Sequence, residues 1–203
     1  MAEAVCPSCR ATLDRPPKRR AKCIHCGQPI LVRKGRLCTD DEARAIDVCN
    51  ATGIPLQRLW ATQQLLTQDW GRGASAGDAA WRLLNELVVA TPDHHSRGMI
   101  YFQMARYLWE DGRDHLAMAR ESRKMELLNW EKAVRKGLLD ENVRVVVITC
   151  REMSCPACQT LTGRRFTLND ALDQGPIPVP DCTHEMGPGR VRGWCRCVYG
   201  VSP

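Results

Sequence analysis

Apolar residues recur every three or four positions through the middle of the chain, as they do on one face of an amphipathic helix. Thr39 and Glu42 fit a capping box and predict a first helix, which Gly53 closes in the C′ position. We predict a second helix from about Pro55 and a third helix that Asp78 caps. The pattern therefore predicts a group of packed helices.

Two more helices complete this predicted group. Thr91 and Pro92 suit the N-cap and first helical positions of a fourth helix, because no amide is needed at the proline. That helix ends at Gly112, and the fifth follows directly. Ala105, Gly112 and Ala117 fall where a tetratricopeptide-like helix pair places its small residues. Stacked repeats need about three units. We therefore expect a helical bundle, with one such helix pair as the alternative.

The ends of the chain lack the helical period. Residues 29–32 predict a short strand, and residues 143–149 are rich in β-branched side chains, which favour a strand. We expect the second strand to pair within one of the terminal modules. The predicted fold class is mainly α, with a central helical bundle at residues 37–142 between small β modules at residues 1–36 and 143–203.

The candidate chemistry of these β modules is carried by cysteine. Nine of the twelve cysteines lie in two clusters, one near each end of the chain. The first cluster has the spacing C-x2-C-x13-C-x2-C, in which each C-x2-C pair fills two corners of a tetrahedral zinc site. It comprises Cys6, Cys9, Cys23 and Cys26.

The N-terminal residues MAEAVCPSCR contain no apolar signal-peptide segment, so we expect a cytoplasmic protein with reduced thiols. Metal binding is then favoured over disulfides, and an iron–sulfur cluster is an alternative to zinc. No apolar run is long enough to cross a membrane, so we expect no membrane partner.

The segment CPSCRATLDRPPKRRAKCIHCGQPILV resembles the zinc ribbons found at the start of many bacterial proteins. Such ribbons bind nucleic acid in some proteins and dock other proteins in others. One departure is Arg10, where the first knuckle would often have glycine. His25 lies inside the second knuckle, and we expect it at the surface because four sulfurs already satisfy zinc.

The second cluster offers six candidate ligands for one zinc. We predict Cys155, Cys158, Cys182 and Cys195 as the ligands, with Cys197 and His184 as alternates. A catalytic zinc would need an open position and a nearby acid or base, for which Glu185 is a candidate. The surplus of thiols favours a closed structural site.

Residues 155–197 resemble the C-terminal zinc element of phage Mu-type head-morphogenesis proteins. In that element a CPxC pair, a G-x-x-F segment and a proline-rich stretch precede a CRC ending. The resemblance implies a metal site, and Cys182 stands where those proteins usually place histidine. The matching residues are Cys155, Pro156, Cys158, Gly163, Phe166, Pro178, Pro180, Cys195, Arg196 and Cys197.

Charge changes the picture of the N-terminal module. The formal charge of +6 is uneven, because residues 1–36 hold nine Lys and Arg against two acids. A zinc ion with four thiolates carries −2, so two such sites would lower the total to +2. The loop between the knuckles can neutralise phosphates, although no aromatic side chain is interleaved for base stacking. Its cations are Arg15, Lys18, Arg19, Arg20 and Lys22.

The remaining candidates are weak. His94 and His95 are neighbours in a predicted first helical turn and face different directions, and His115 lies near the start of the next helix. We find no P-loop, G-x-S-x-G or H-E-x-x-H motif. We expect three further cysteines, Cys38, Cys49 and Cys150, to be ordinary residues that behave as small hydrophobes.

These observations predict a non-enzymatic zinc-binding adaptor or binding protein of bacterial or phage origin, with two structural Zn²⁺ sites and a protein partner. A nucleic-acid-binding protein that uses the basic loop is one alternative. A zinc-dependent enzyme, such as a nuclease, at the C-terminal cluster is another. No small-molecule substrate is indicated.

Overall fold

The computed structural model of the chain describes residues 4–149, 154–182, 185–186, 191–192, 195 and 197–202. The chain forms two compact units, Met1–Glu86 and Leu87–Pro203. The boundary between them falls inside the third helix. The three-part division at residues 1–36, 37–142 and 143–203 stays a prediction.

A small antiparallel sheet opens the first unit. Its strands are β1 (Ala21–Lys22), β2 (Pro29–Arg33) and β3 (Arg36–Cys38), in the order β1-β2-β3. A tight turn at Lys34 and Gly35, both with positive φ, joins β2 to β3. Ile30 of β2 points inward and is buried beside the first cysteine cluster. The strand predicted at residues 29–32 is confirmed as part of β2.

Helix α1 (Asp40–Thr52) packs on β2 and confirms the predicted caps. The Glu42 amide donates to Thr39 Oγ1 over 3.1 Å, and the Thr39 amide donates to the Glu42 carboxylate over 2.8 Å. Gly53 ends the helix at φ 73°, a left-handed conformation that glycine adopts without strain. The inward face of α1 consists of Ala43, Ala45, Ile46, Val48 and Cys49.

Helices α2 (Leu56–Trp70) and α3 (Ala76–Ala90) follow. The cap predicted for α3 is corrected, because Ser75 occupies the N-cap and Asp78 lies in the first turn. The Asp78 amide donates to Ser75 Oγ, and the Ser75 amide donates to the Asp78 carboxylate, each over 3.0 Å. The connection between α2 and α3 therefore spans residues 71–75.

The second unit contains a tightly packed pair, α4 (His94–Glu110) and α5 (Leu116–Arg135). A Cβ atom at Gly98 would lie 3.1 Å from Met125 Cβ, so glycine lets the two helices approach closely. Ser122 Oγ donates to the Gly98 carbonyl oxygen over 2.9 Å in the same contact. The predicted turn at Gly112 is confirmed, with φ 72°.

The start predicted for α4 is wrong by two residues. Asp93, and not Thr91, is the N-cap, and its carboxylate accepts the Ser96 amide over 2.9 Å. Thr91 Oγ1 instead donates to the Leu87 carbonyl oxygen at the end of α3, over 2.7 Å. Thr91 therefore belongs to the end of one helix and not to the start of the next.

The C-terminal part of the second unit is built around strand β4 (Arg144–Ile148), which confirms the strand predicted there. β4 pairs antiparallel with β5 (Arg165–Thr167) on one side and β8 (Val198–Ser202) on the other. Short helices α6 (Pro156–Gln159) and α7 (Leu168–Gln174) and a hairpin of β6 (Glu185–Met186) and β7 (Val191–Arg192) complete the described elements.

A continuous apolar core lies under this sheet. Val145 and Val147 of β4 face inward, and the ring of Trp130 from α5 meets the ring of Tyr199 from β8 edge to face. The buried members of the core are Leu127, Val145, Val147, Cys155, Cys158, Phe166, Leu168, Ala171, Ile177, Cys182, Cys197 and Tyr199.

Within the described part of the chain, no helix combines the length and apolarity needed to cross a membrane.

Candidate metal centres

The two N-terminal knuckles have the same backbone geometry. In the first, the Arg10 amide donates to the Cys6 carbonyl oxygen over 3.0 Å, and in the second the Gly27 amide donates to the Cys23 carbonyl oxygen over 2.9 Å. Each turn needs a left-handed residue after its second cysteine, with φ 64° at Arg10 and 70° at Gly27. Arg10 therefore adopts the glycine conformation at the cost of backbone strain.

These turns bring four thiols together, which we call the N-terminal quartet: Cys6, Cys9, Cys23 and Cys26. All four sulfurs lie within 4.8 Å of one another. Cys6 Sγ is 3.9 Å from Cys26 Sγ, and Cys9 Sγ is 3.8 Å from Cys23 Sγ. Zinc with Zn–S bonds of about 2.3 Å spaces its sulfurs by about 3.8 Å, so the quartet has the dimensions of a zinc tetrahedron.

The thiols of the quartet differ in pKa. The backbone amide of Cys9, assisted by neighbouring thiols, lowers the pKa of the Cys6 thiol from 9.0 to about 6. At Cys26 the Gln28 amide acts in the same direction, but burial and the other three thiols outweigh it and raise the pKa to about 12. A bound divalent cation favours the thiolate form at every ligand, so metal binding would release protons.

The second group, which we call the C-terminal thiol cluster, contains Cys155, Cys158, Cys182, Cys195 and Cys197. Cys155 is the N-cap of α6 with a proline directly after it, and Cys158 lies within that helix. The Cys182 amide donates to the Val179 carbonyl oxygen over 3.2 Å. Cys197 directly precedes β8. Regular elements or turns therefore position four of these five cysteines.

The five thiols form two overlapping triads. Cys155, Cys158 and Cys182 lie within 4.8 Å of one another, and so do Cys158, Cys195 and Cys197. Cys155 Sγ and Cys182 Sγ are 3.6 Å apart. Cys158 belongs to both triads. The first triad offers three of the four thiols that a tetrahedral ion takes, and neither Cys195 nor Cys197 forms one group with both Cys155 and Cys182.

Burial and proton sharing distinguish the members of this cluster. Cys155, Cys158, Cys182 and Cys197 are buried, whereas Cys195 is partly exposed. Hydrogen bonding to Cys182 and other thiols raises the pKa of the Cys158 thiol, and hydrogen bonding from Cys158 lowers the pKa of the Cys195 thiol. At Cys197 the contact with Cys158 lowers the pKa, but Cys195 and burial raise it to about 12.

Both clusters place thiols closely enough to hold zinc. All four predicted N-terminal ligands meet in one quartet, while the predicted C-terminal ligand Cys195 lies in a different triad from Cys155 and Cys182. The alternate Cys197 lies in the same triad as Cys195. The alternate His184 and the matched Arg196 fall outside the described residues, as does Cys150, and the side chain of Glu185 is also not described.

Other predicted residues take ordinary positions. His25 is exposed, as expected for a knuckle residue that does not bind metal. Cys38 and Cys49 are fully buried, and desolvation raises the pKa of the Cys49 thiol to about 11. Among the described residues, the groups of metal-capable side chains contain cysteine alone, so His94 and His115 join none of them.

The cations of the loop between the knuckles are all exposed. Two of them, Arg15 and Lys22, line a groove of about 520 Å³ on the N-terminal module, which the sequence did not predict. Ile24 lines the groove, and 79% of its surface is exposed. The sequence signal for this groove is an isoleucine between the two cysteines of a knuckle, because that position lies at the tip of the turn. The remaining lining residues are Leu13, Asp14, Pro17, Ala21 and Ile30.

Comparison of the chain with protein-family models, with curated proteins and with solved structures gave no match.

Proposed function

We propose that the chain is a non-enzymatic adaptor protein that zinc stabilises at two sites and that docks a partner on its N-terminal module. The observation that carries the proposal is the N-terminal quartet, whose sulfur spacing matches a zinc tetrahedron. We include in it the zinc-ribbon identity of residues 1–36 and the likeness of residues 155–197 to the phage zinc element.

Closed coordination supports a structural role at both sites. A catalytic zinc keeps one position open for water or substrate. Four thiols fill every position at the N-terminal quartet, and the C-terminal thiol cluster has one thiol more than a tetrahedral ion uses. Sulfur-only coordination leaves neither zinc a free position for chemistry, so each ion acts by holding its module together.

The groove beside Ile24 supports the adaptor role. Its apolar surface comes from residues such as Leu13, Pro17 and Ile24, and an exposed isoleucine at the rim gives a partner an apolar contact. Arg15 and Lys22 also line it, and Asp14 is the acid among its lining residues. A groove lined by two cations and several apolar side chains complements an acidic peptide that carries an apolar anchor residue.

A peptide-display selection against the full zinc-loaded chain tests this role. We expect enriched peptides that combine Asp or Glu with a single large apolar residue. Ile24→Ser and the double variant Arg15→Glu, Lys22→Glu should each abolish the enrichment, because they remove the apolar contact and the charge.

Leu65→Ser and Arg72→Glu are matched controls, since both residues are exposed and neither lines the groove. They should leave the enrichment unchanged. Enrichment of basic peptides, or the same peptides selected by Ile24→Ser, would contradict the proposed docking site.

Nucleic-acid binding is the second candidate, and one observation favours it. Lys18, Arg19 and Arg20 are exposed on the loop, and no ion pair joins them to another residue in the part of the chain that the structure describes. A salt titration with a 20-base-pair DNA duplex and a single-stranded RNA separates the candidates. Phosphate contacts would give a linear fall of log affinity with log salt, and Lys18→Glu with Arg19→Glu and Arg20→Glu would flatten it.

A further inference from the structure

A second pocket lies in the second unit, where residues of helix α5 meet helix α7 and the segment that follows it. Its volume is about 360 Å³, and small-molecule sites in proteins span about 300–1,000 Å³. None of its lining residues is a cysteine, and it shares no residue with the groove beside Ile24. The pocket is therefore separate from both thiol clusters and from the groove.

Apolar side chains make up part of the lining. Leu127 of α5 and Ile177 are each 1% exposed, so core packing fixes both of them. Pro176 and Pro180 come from the segment after α7, and their rings restrict the backbone there. A ligand in this pocket therefore meets apolar surface that exists before binding, and it needs an apolar body to cover that surface.

Tyr199 adds a buried polar group to the lining. This side chain is 4% exposed, and its hydroxyl oxygen accepts the amide of Ile177, another lining residue, over 3.3 Å. The proton of the hydroxyl has no acceptor within the part of the chain that the structure describes. A phenolic hydroxyl keeps its proton at neutral pH, so Tyr199 can donate a hydrogen bond to a ligand oxygen.

Helix α5 supplies two available cations. Arg120 and Lys124 lie four residues apart, so they project from the same face of the helix. Both are exposed, and neither forms an ion pair with another described residue. Arg120 Nε donates to the Pro178 carbonyl oxygen over 3.4 Å, which holds the guanidinium beside the pocket. Two such cations favour an oxyanion as the polar group of the ligand.

The charge of the lining favours a single negative charge on that group. Three cations and two acids line the pocket, which leaves a formal charge of +1. The acids are Glu121 and Asp173. The third cation, Arg123, already pairs with Glu126, with 3.2 Å between nitrogen and oxygen. A carboxylate matches this balance better than a doubly charged phosphate group does.

We propose that this pocket binds a small organic carboxylate with an apolar body. Arg120 and Lys124 attract the carboxylate, and Tyr199 donates a hydrogen bond to one of its oxygens. Leu127 and Ile177 cover the apolar body. This binding site goes beyond the proposed docking function, because it uses a different pocket in the other unit and requires no partner protein.

An amide-resolved NMR titration of the full chain with 4-phenylbutyrate tests the proposal. We expect saturable shifts at residues 120–127 and 171–177, which line the pocket. The neutral analogue 4-phenylbutyramide and inorganic phosphate should each bind about tenfold more weakly or less, because one lacks the charge and the other lacks the apolar body. Absence of saturable shifts, shifts confined to residues 13–30, or equal binding of the amide or of phosphate would overturn the proposal.

Variants of the lining residues complete the test. Arg120→Gln and Lys124→Met should each weaken binding of 4-phenylbutyrate by about fivefold or more, because each removes a charged partner of the carboxylate. Tyr199→Phe should weaken it by about threefold. Lys124→Met keeps the test decisive if Tyr199→Phe disturbs the core, because Lys124 is exposed.

Lys132→Met is the matched control, since Lys132 is exposed on the same helix and does not line the pocket. The double variant Arg15→Glu, Lys22→Glu changes the N-terminal groove and should also leave the affinity for 4-phenylbutyrate unchanged. Unchanged affinity in both Arg120→Gln and Lys124→Met, or equal weakening by Lys132→Met, would overturn the carboxylate site. Neither result would affect the docking role of the groove, which the peptide selection tests separately.

Discussion

The two cysteine modules differ in how their candidate ligands are buried. In the N-terminal module the buried group consists of Cys6, Cys23 and Ile30, so two of its three members are candidate ligands. In the C-terminal module four cysteines join a larger apolar core that includes Val145, Ile177 and Tyr199. Under the proposed function, a metal ion would therefore be the centre of the first fold and an addition to the second.

The difference follows from what each segment can bury. The N-terminal module has short strands and a proline-rich basic loop, which leave little apolar surface to remove from water. The C-terminal module packs against apolar side chains of α5, including Leu127 and Trp130. A shared C-x2-C pair thus does not imply similar dependence on metal.

Metal removal should show the difference between the two modules most clearly. After chelation, hydrogen exchange at residues 4–38 should rise toward that of an unfolded chain, because zinc supplies an apparent binding energy of about 10–16 kcal/mol to such small modules. Strands β4 and β8 should keep measurable protection, because their core remains. The readout is hydrogen exchange followed by mass spectrometry.

Cys6→Ser is the matched variant for that experiment. It should reproduce the loss of protection at residues 4–38 and lower the zinc content from two ions to one, with no change in β4. Equal loss of protection in both modules after chelation would show that the C-terminal core also depends on metal.

Leu127→Ala should have the next largest effect, and it should act on the core of the C-terminal module. Leu127 is 1% exposed in the C-terminal core, and its truncation should lower the free energy of unfolding of that unit by about 2–5 kcal/mol. Leu138→Ala, at an exposed position, is the control and should change it by about 0.5 kcal/mol or less. Denaturant unfolding with module-specific hydrogen exchange measures both. An unchanged C-terminal unit would contradict the apolar core.

Arg10→Gly should strengthen the N-terminal module, because glycine adopts φ 64° without the strain that arginine stores there. We expect a gain of about 1 kcal/mol in zinc-linked stability, seen as roughly fivefold greater resistance to a chelator. Gly27→Ala is the mirror control and should lose a similar amount. Weaker zinc binding by Arg10→Gly would show that the arginine side chain supports the site.

The smallest effect concerns Cys49, a buried thiol that lies outside both clusters. Burial raises its pKa from 9.0 in the unfolded chain to about 11, so the folded state holds its proton more tightly. Its contribution to stability is complete below pH 9 and is lost as pH rises toward 11. Cys49→Ala should therefore show a shallower alkaline fall in stability than wild type. Identical slopes would contradict this assignment.

Features set by neighbouring residues could be predicted from the sequence. The Thr39 and Glu42 capping box and the left-handed glycine at Gly53 depend on contacts within one helical turn, and both were confirmed. Caps were wrong where two suitable residues competed. Asp93 displaced Thr91 because the Thr91 hydroxyl satisfies a carbonyl at the end of α3.

Features set by distant residues were less predictable. The N-terminal knuckles form local turns, so their spacing alone indicates a quartet. The position of Cys197 depends on the pairing of β8 with β4 and on burial in a core that α5 completes. The groove beside Ile24 likewise depends on the fold, which brings lining residues as far apart in sequence as Leu13 and Ile30 together.

Native mass spectrometry of the full chain, combined with zinc-edge X-ray absorption, tests the central claim most directly. The account predicts two zinc ions per chain, each bound by four sulfurs at about 2.3 Å with no nitrogen or oxygen ligand. One zinc ion per chain, bound iron, or a zinc with an oxygen ligand would contradict it.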